Sequence, residues 1–195
     1  MRRLKPCLPN KLGSHVKRFS FTYLKSTHMK ETTILSIDPG TRNIGVAVLV
    51  AGELTYYAVK IIRTRRTFQE GCGGVVHTIR ELIREHQPDI LAIKQPLIIQ
   101  QSAVSLAQVI REIKKTSQQE GVTVYEFAPK IVRQFICGTD KATKRQLAER
   151  IASQYVELTR YLKGQSKWEV LYYGKLFDAI AVGLTCCYGS IDSSE

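Results

Sequence analysis

Apolar positions along this chain fall into short runs and spaced stripes that begin just after Met29. Ile34 to Ile37 is a short apolar run, read as a buried strand, and Asp38-Pro39-Gly40 ends it in a turn. Ile44 to Val50 and Leu54 to Ile62, separated by a turn at Gly52, give two more strands and complete a β-meander. Gly71 to Gly74 then opens a helix with Val75, Val76, Ile79, Leu82 and Ile83 at helical spacing, stopped by Gln87-Pro88-Asp89. Ile90 to Ile93 is a fourth strand, ending at Lys94. After Pro96 the pattern predicts a loop, then a helix with Val104, Ala107, Ile110 and Ile113 on one face. Val122 to Phe127 reads as a fifth strand, and a helix around Ile131 to Phe135 follows. Gly138-Thr139-Asp140 breaks the chain before a helix carrying Leu147, Ile151, Tyr155 and Leu158. Residues 163–174 read as a loop, and a last helix, about Leu176 to Cys187, is apolar on most sides and expected to pack on the sheet.

The order predicts an α/β domain with a mixed five-stranded sheet: an antiparallel meander, then parallel crossovers, flanked by helices. A length of 195 residues and 44% hydrophobic content suit one core. The expected organisation is a basic extension over 1–28, a folded domain over 29–189 and a short tail over 190–195. No apolar run approaches the roughly 20 residues of a membrane span, so a soluble protein without a membrane partner is expected. Five cysteines (Cys7, Cys72, Cys137, Cys186, Cys187) show no CxxC spacing, which argues against a disulfide framework and a zinc site and for a reducing compartment. His15, His28, His77 and His86 show no ligand spacing and read as surface or capping residues.

The net charge of +12 suggests a polyanionic partner, but it is unevenly placed. Residues 1–30 hold eight basic residues and no acid, leaving 21 basic against 17 acidic residues elsewhere. That first stretch is a disordered arm, an organelle-targeting segment or an upstream extension with Met29 as the working start. The third reading is preferred because the folded pattern follows Met29 directly. The corresponding locations are a bacterial-type cytoplasm or, for a targeting segment, an organelle.

Two carboxylates stand out. Asp38 ends an apolar strand, a costly place unless a cation or a donor satisfies it; its plainer role is to cap the Pro-Gly turn. Asp178 is the lone charge in Leu-Phe-Asp-Ala-Ile-Ala-Val-Gly-Leu and calls for a metal or a basic partner. Its plainer role is an N-terminal Asp facing the helix dipole. Lys130 to Arg150 gathers Lys130, Arg133, Lys141, Lys144, Arg145 and Arg150 against Asp140 and Glu149. It includes a helix start, where free N–H groups favour phosphate; the alternative is a solvated charged face. Arg63 to Arg66 is a second, smaller basic cluster. Gly-Cys-Gly-Gly at 71–74 lacks the Lys-Ser/Thr of a phosphate loop.

Ile34 to Val50 (ILSIDPGTRNIGVAVLV), Ile90 to Gln95 (ILAIKQ), Phe127 to Ile151 and Phe177 to Leu184 (FDAIAVGL) together resemble, in order, the motifs of RuvC-type Holliday junction resolvases. The resemblance implies an RNase H-like fold and a homodimer gripping a four-way DNA junction. It implies acidic residues that hold two Mg2+ ions, with Mn2+ as an alternative, for phosphodiester hydrolysis in recombination or repair. A branch-migration motor is an implied partner. Asp38 and Asp178 match the family's first and last aspartates and would be metal ligands. Lys94 stands where the family usually has glutamate, and Lys175 where it has Asp or His. Lys175 and Asp178, at i and i+3, are expected to pair, and two lysines facing two aspartates would form a self-neutralised site without metal. Glu126 is the nearest spare acid. The resemblance also implies DNA contacts from Arg42 and the 130–150 stretch, with Leu97 or Ile98 as an apolar wedge against junction bases. The expected function is thus a junction endonuclease, or a catalytically impaired junction-binding protein of the same fold. An ATP-binding reading through Asp38-Pro39-Gly40-Thr41 would need a second similar domain, which this length does not supply.

Overall fold

In the computed structural model, residues 32–62, 68–96, 103–163 and 167–189 are described. Strands β1 (Thr33–Asp38), β2 (Asn43–Val50) and β3 (Glu53–Ile61) form the meander, followed by helix α1 (Phe68–His86) and strand β4 (Ile90–Lys94). Helix α2 (Ala103–Gln119), strand β5 (Thr123–Phe127) and helices α3 (Pro129–Cys137) and α4 (Lys144–Ala152) come next. A 3-10 helix, Val156–Lys163, leads to the long α5 (Lys167–Tyr188). The sheet order is β3-β2-β1-β4-β5, with β1–β2 and β2–β3 antiparallel and β1–β4 and β4–β5 parallel. This is the mixed α/β arrangement expected of an RNase H-like fold.

The β1 run is apolar without alternation because both faces of that strand are covered. Leu35 and Ile37 join Ile79, Leu82, Ile93 and Ile113 under α1 and α2. Ile34 packs on the opposite face with Leu147, Ile151, Ile180 and Val182 of α4 and α5. Single hydroxyls inside these layers satisfy themselves locally: Ser36 donates to the Ala47 carbonyl at 3.1 Å and Thr185 to Ala181 at 2.7 Å.

Four elements differ from the sequence expectation. Helix α1 starts at Phe68, so Gly71 to Gly74 lie within its first turns rather than ahead of it. In α2 the buried positions include Val109, Ile110 and Ile113, whereas Ala107 is exposed. Ile110 and Ile113 therefore serve the core. The stripe Leu147-Ile151-Tyr155-Leu158 is broken: Leu147 and Ile151 lie in α4, Tyr155 in the link after Ala152 and Leu158 in the 3-10 helix. Residues 167–174 are helical, because α5 starts well before Leu176. The longer helix makes Glu169–Tyr188 long and apolar enough to cross a membrane, with mean hydropathy 1.3. Most of that stretch is buried inside the fold, which is the usual situation of a core helix. Residues 1–31, Arg63 to Arg66, Leu97, Ile98 and the 190–195 tail lie outside the described residues.

Candidate functional site

Asp38 and Lys94 are the last residues of β1 and β4, and the pairing of Ile37 with Ile93 sets them side by side. Strand alternation turns both toward α5, since Ile37 and Ile93 occupy the other face. Helix α5 reaches them because glycines let its backbone lie against the strands. A Cβ on Gly45 would stand 2.0 Å from the Lys175 carbonyl oxygen, and one on Gly183 would stand 2.7 Å from Ser36 Oγ. A Cβ on Gly40 would come within 2.9 Å of Lys175 Nζ. This close contact carries Lys175 and Asp178 onto the ends of β1 and β4.

The result is a compact charge cluster. Lys94 Nζ lies 3.0 Å from Asp38 Oδ1 and donates to Asp178 Oδ2 at 2.6 Å. Lys175 Nζ donates to Asp38 Oδ2 and to the Pro39 carbonyl, each at 3.0 Å. Lys144 Nζ stands 3.7 Å from Asp178 Oδ2. Both aspartates are 6% exposed. Burial works to lower the Lys94 pKa, but the charges of Asp38 and Asp178 and their hydrogen bonds outweigh it and hold the ammonium above its ordinary range. Lys94 is therefore a fixed cation at neutral pH.

Asp38 and Lys94 are neighbours, and two lysines do face two aspartates. The pairing differs in detail: Lys175 bonds Asp38 rather than Asp178. Asp178 lies eleven residues into α5, far from the N-terminal turn, so the helix-dipole role does not apply. Glu126 belongs to the other face of the sheet, where it pairs with Lys114 of α2. Lys144, expected only as a DNA contact, is also part of the cluster. Nothing in the sequence pairs it with Asp178, because the two are 34 positions apart and meet only where α4 packs on α5.

The other basic candidates are mostly exposed. Arg42 is exposed in the turn between β1 and β2, next to the cluster end of the sheet. Lys130, Lys141 and Arg145 are exposed and Arg133 is half-buried. Arg145 pairs with Glu149 on the solvated face of α4 at 2.8 Å. The α4 N-terminus is less open to phosphate than its sequence suggests. Thr143 Oγ1 accepts from the Gln146 amide at 3.2 Å, and Gln146 Oε1 accepts from the Thr143 amide at 2.8 Å, closing a capping box.

Among the described residues no group of three or more His, Cys, Asp or Glu side chains is placed to hold a metal ion. The two converging carboxylates already have ammonium partners, so the arrangement suits an anion approaching from outside better than a cation.

The sequence profile of a family described as crossover junction endodeoxyribonuclease RuvC matches residues 34–185. A protein of that name from Pseudomonas paraeruginosa is 35% identical over 121 residues, covering 60% of this chain and 70% of the relative. One from an Enterobacter species is 28% identical over 167 residues, covering 83% and 90%. Among solved structures, Thermus thermophilus RuvC in complex with a Holliday junction substrate has a TM-score of 0.64 at 22% identity, covering 79% of this chain and 92% of that one. The yeast mitochondrial Holliday junction resolvase Ydc2 has a TM-score of 0.61 at 13% identity, covering 79% and 78%.

Proposed function

The chain belongs to the RuvC family of crossover junction endodeoxyribonucleases, and from that premise we propose that it binds four-way DNA junctions as a homodimer while its own cleavage centre is shut. One observation carries the second half of this reading: Lys94 Nζ contacts both carboxylates, at 3.0 and 2.6 Å. The family implies Mg2+ or Mn2+ at such carboxylates. The residues present do not fit a pair of ions. A protonated amine cannot ligate metal, and this one stands between the two acids that would. Lys175 holds the remaining Asp38 oxygen. A divalent cation would have to displace two ammonium groups that already neutralise its ligands.

Binding does not depend on those ligands. The resemblance assigns the junction contacts to Arg42 and to the basic stretch Lys130, Arg133, Lys141, Lys144 and Arg145. Of these, Lys144 reaches Asp178 in the cluster, and Arg42 sits in the turn that follows Asp38. A branch-migration motor remains an implied partner. A second reading, metal-dependent resolution of junctions, is favoured by the convergence of Asp38 and Asp178 on one point. It requires Lys94 to move aside.

The two readings separate on a labelled four-way junction incubated with Mg2+, with Mn2+ and with EDTA, beside linear duplex and the Lys94→Glu variant. We expect structure-selective binding without nicking by the native chain, and metal-dependent nicking gained by Lys94→Glu. Symmetric, metal-dependent nicking by the native chain would establish the second reading. Equal affinity for junction and duplex would remove the junction assignment altogether.

A further inference from the structure

We propose that Lys94, Lys175 and Lys144 form a metal-free seat for one DNA phosphodiester, with ammonium groups in the place where a carboxylate site holds cations. This rests on the DNA-binding reading above and concerns how the same site meets its ligand.

The order of exposure is the first support. The side chains of Asp38 and Asp178 are each 8% exposed, whereas Lys94 is 15%, Lys175 26% and Lys144 65% exposed. The acids lie beneath and the ammonium groups rise toward solvent in steps. A site open to a cation would present its oxygens outward; this one presents N–H donors. The charge balance is the second support. Three lysines over two aspartates leave one positive charge, which a phosphodiester would neutralise. Hydrogen bonding is the third support. Each ammonium has three donors. Lys94 uses two on Asp38 and Asp178, and Lys175 uses two on Asp38 and Pro39. Lys144 stands at 3.7 Å, beyond hydrogen-bond length, and keeps its donors available to an anion.

Position explains why the ligand would be backbone phosphate. Lys144 opens α4 and ties that helix start to the cluster, and the exposed Arg42 follows Asp38 by four positions, so a strand held by these two residues passes over it. A carboxylate set at this point would repel that strand until cations arrived. The lysines remove this requirement. Lys94→Glu would change the cluster's net charge from one positive to one negative and restore it.

The test measures affinity for labelled junction and for linear duplex across a salt series, with and without EDTA. The proteins are the native chain, a Lys144→Gln/Lys175→Gln double variant, Lys94→Glu, and Lys115→Gln on exposed α2 as a distant reference. Thermal melting of each protein checks that it is folded. Native affinity should not change with EDTA. In the double variant the slope of log affinity against log salt should fall by about 0.9, one phosphate's share. Lys94→Glu should bind more weakly in EDTA and recover with Mn2+. An unchanged slope in the double variant, a fall no larger than that of Lys115→Gln, or loss of native binding in EDTA would overturn the seat. Junction preference with an unchanged slope would leave the function standing without the seat. A reduced slope without junction preference would do the reverse. Absence of any DNA binding would overturn both.

Discussion

Removing the Lys94 ammonium would leave two acids, each 6% exposed, without the cation they share. Breaking a buried ion pair from one side costs about 3–5 kcal/mol, because the surviving charge stays desolvated. Lys175 still serves Asp38 and Lys144 still faces Asp178. Lys94→Met should therefore destabilise the fold by about 3 kcal/mol, at the lower end of that range, as measured by urea unfolding. Adding Asp178→Asn should recover part of the loss, since it removes an uncompensated charge. A loss below about 1 kcal/mol would mean that solvent, rather than Lys94, neutralises the pair. The two aspartates could be singled out in the sequence as charges in apolar surroundings. That Lys94 touches both, and that Lys144 approaches one, depends on contacts 56, 84 and 34 positions apart.

At the scale of elements, α4 places Lys144 and is short, so its ends matter. Its N-terminus is closed by the reciprocal Thr143–Gln146 box, and Leu147 and Ile151 anchor its inner face. Thr143→Ala removes the side-chain acceptor for the Gln146 amide and should cost about 1 kcal/mol in chemical denaturation. DNA affinity should drop with it, because the first turn then loses the fixed direction of Lys144. Unchanged stability would mean that the box is not holding the helix start. Helix α5 was underestimated from sequence for a related reason. Its first turns, Trp168 to Gly174, set Glu169, Val170 and Leu171 among aromatic residues without an apolar stripe at helical spacing, so periodicity alone suggests a loop. Neighbours hold it instead: Tyr172 donates to the Val59 carbonyl at 3.3 Å, and Tyr173 packs on Tyr161 with ring centroids 4.8 Å apart.

At the scale of the whole molecule, the ionisable groups of the interior set its behaviour in alkali. Burial pushes the Cys186 thiol from 9.0 up to about 12 and the Tyr155 phenol from 10.0 up to about 12. Lys94 is also held above its ordinary 10.5, where the two carboxylates outweigh burial. All three keep their protons in the folded chain at pH values where the unfolded chain has released them. Stability from these groups is fully present below pH 9 and is lost as pH rises toward 12. The thermal midpoint should fall progressively above pH 9, and Cys186→Ala should remove the earliest part of that fall. A midpoint that stays level to pH 10.5 would contradict the assignment for Cys186.

The sequence alone determined where the strands lie and singled out the two buried acids. Short apolar runs bounded by Asp-Pro-Gly, Gly52 and Gln-Pro-Asp report local geometry that neighbouring residues impose on one another, and the strands formed where those runs lie. Four motifs in order were enough to indicate the family, since each is a local string of residues. What Lys94 and Lys175 do at the site was decided by the tertiary structure. Glycines at 45 and 183 let α5 settle against β1 and β2, and only that contact brings Lys175 to Asp38 and Asp178 to Lys94. Charge pairing falls off within a few ångströms of contact. It is therefore fixed by which elements pack together, and a one-dimensional pattern carries no record of that distance.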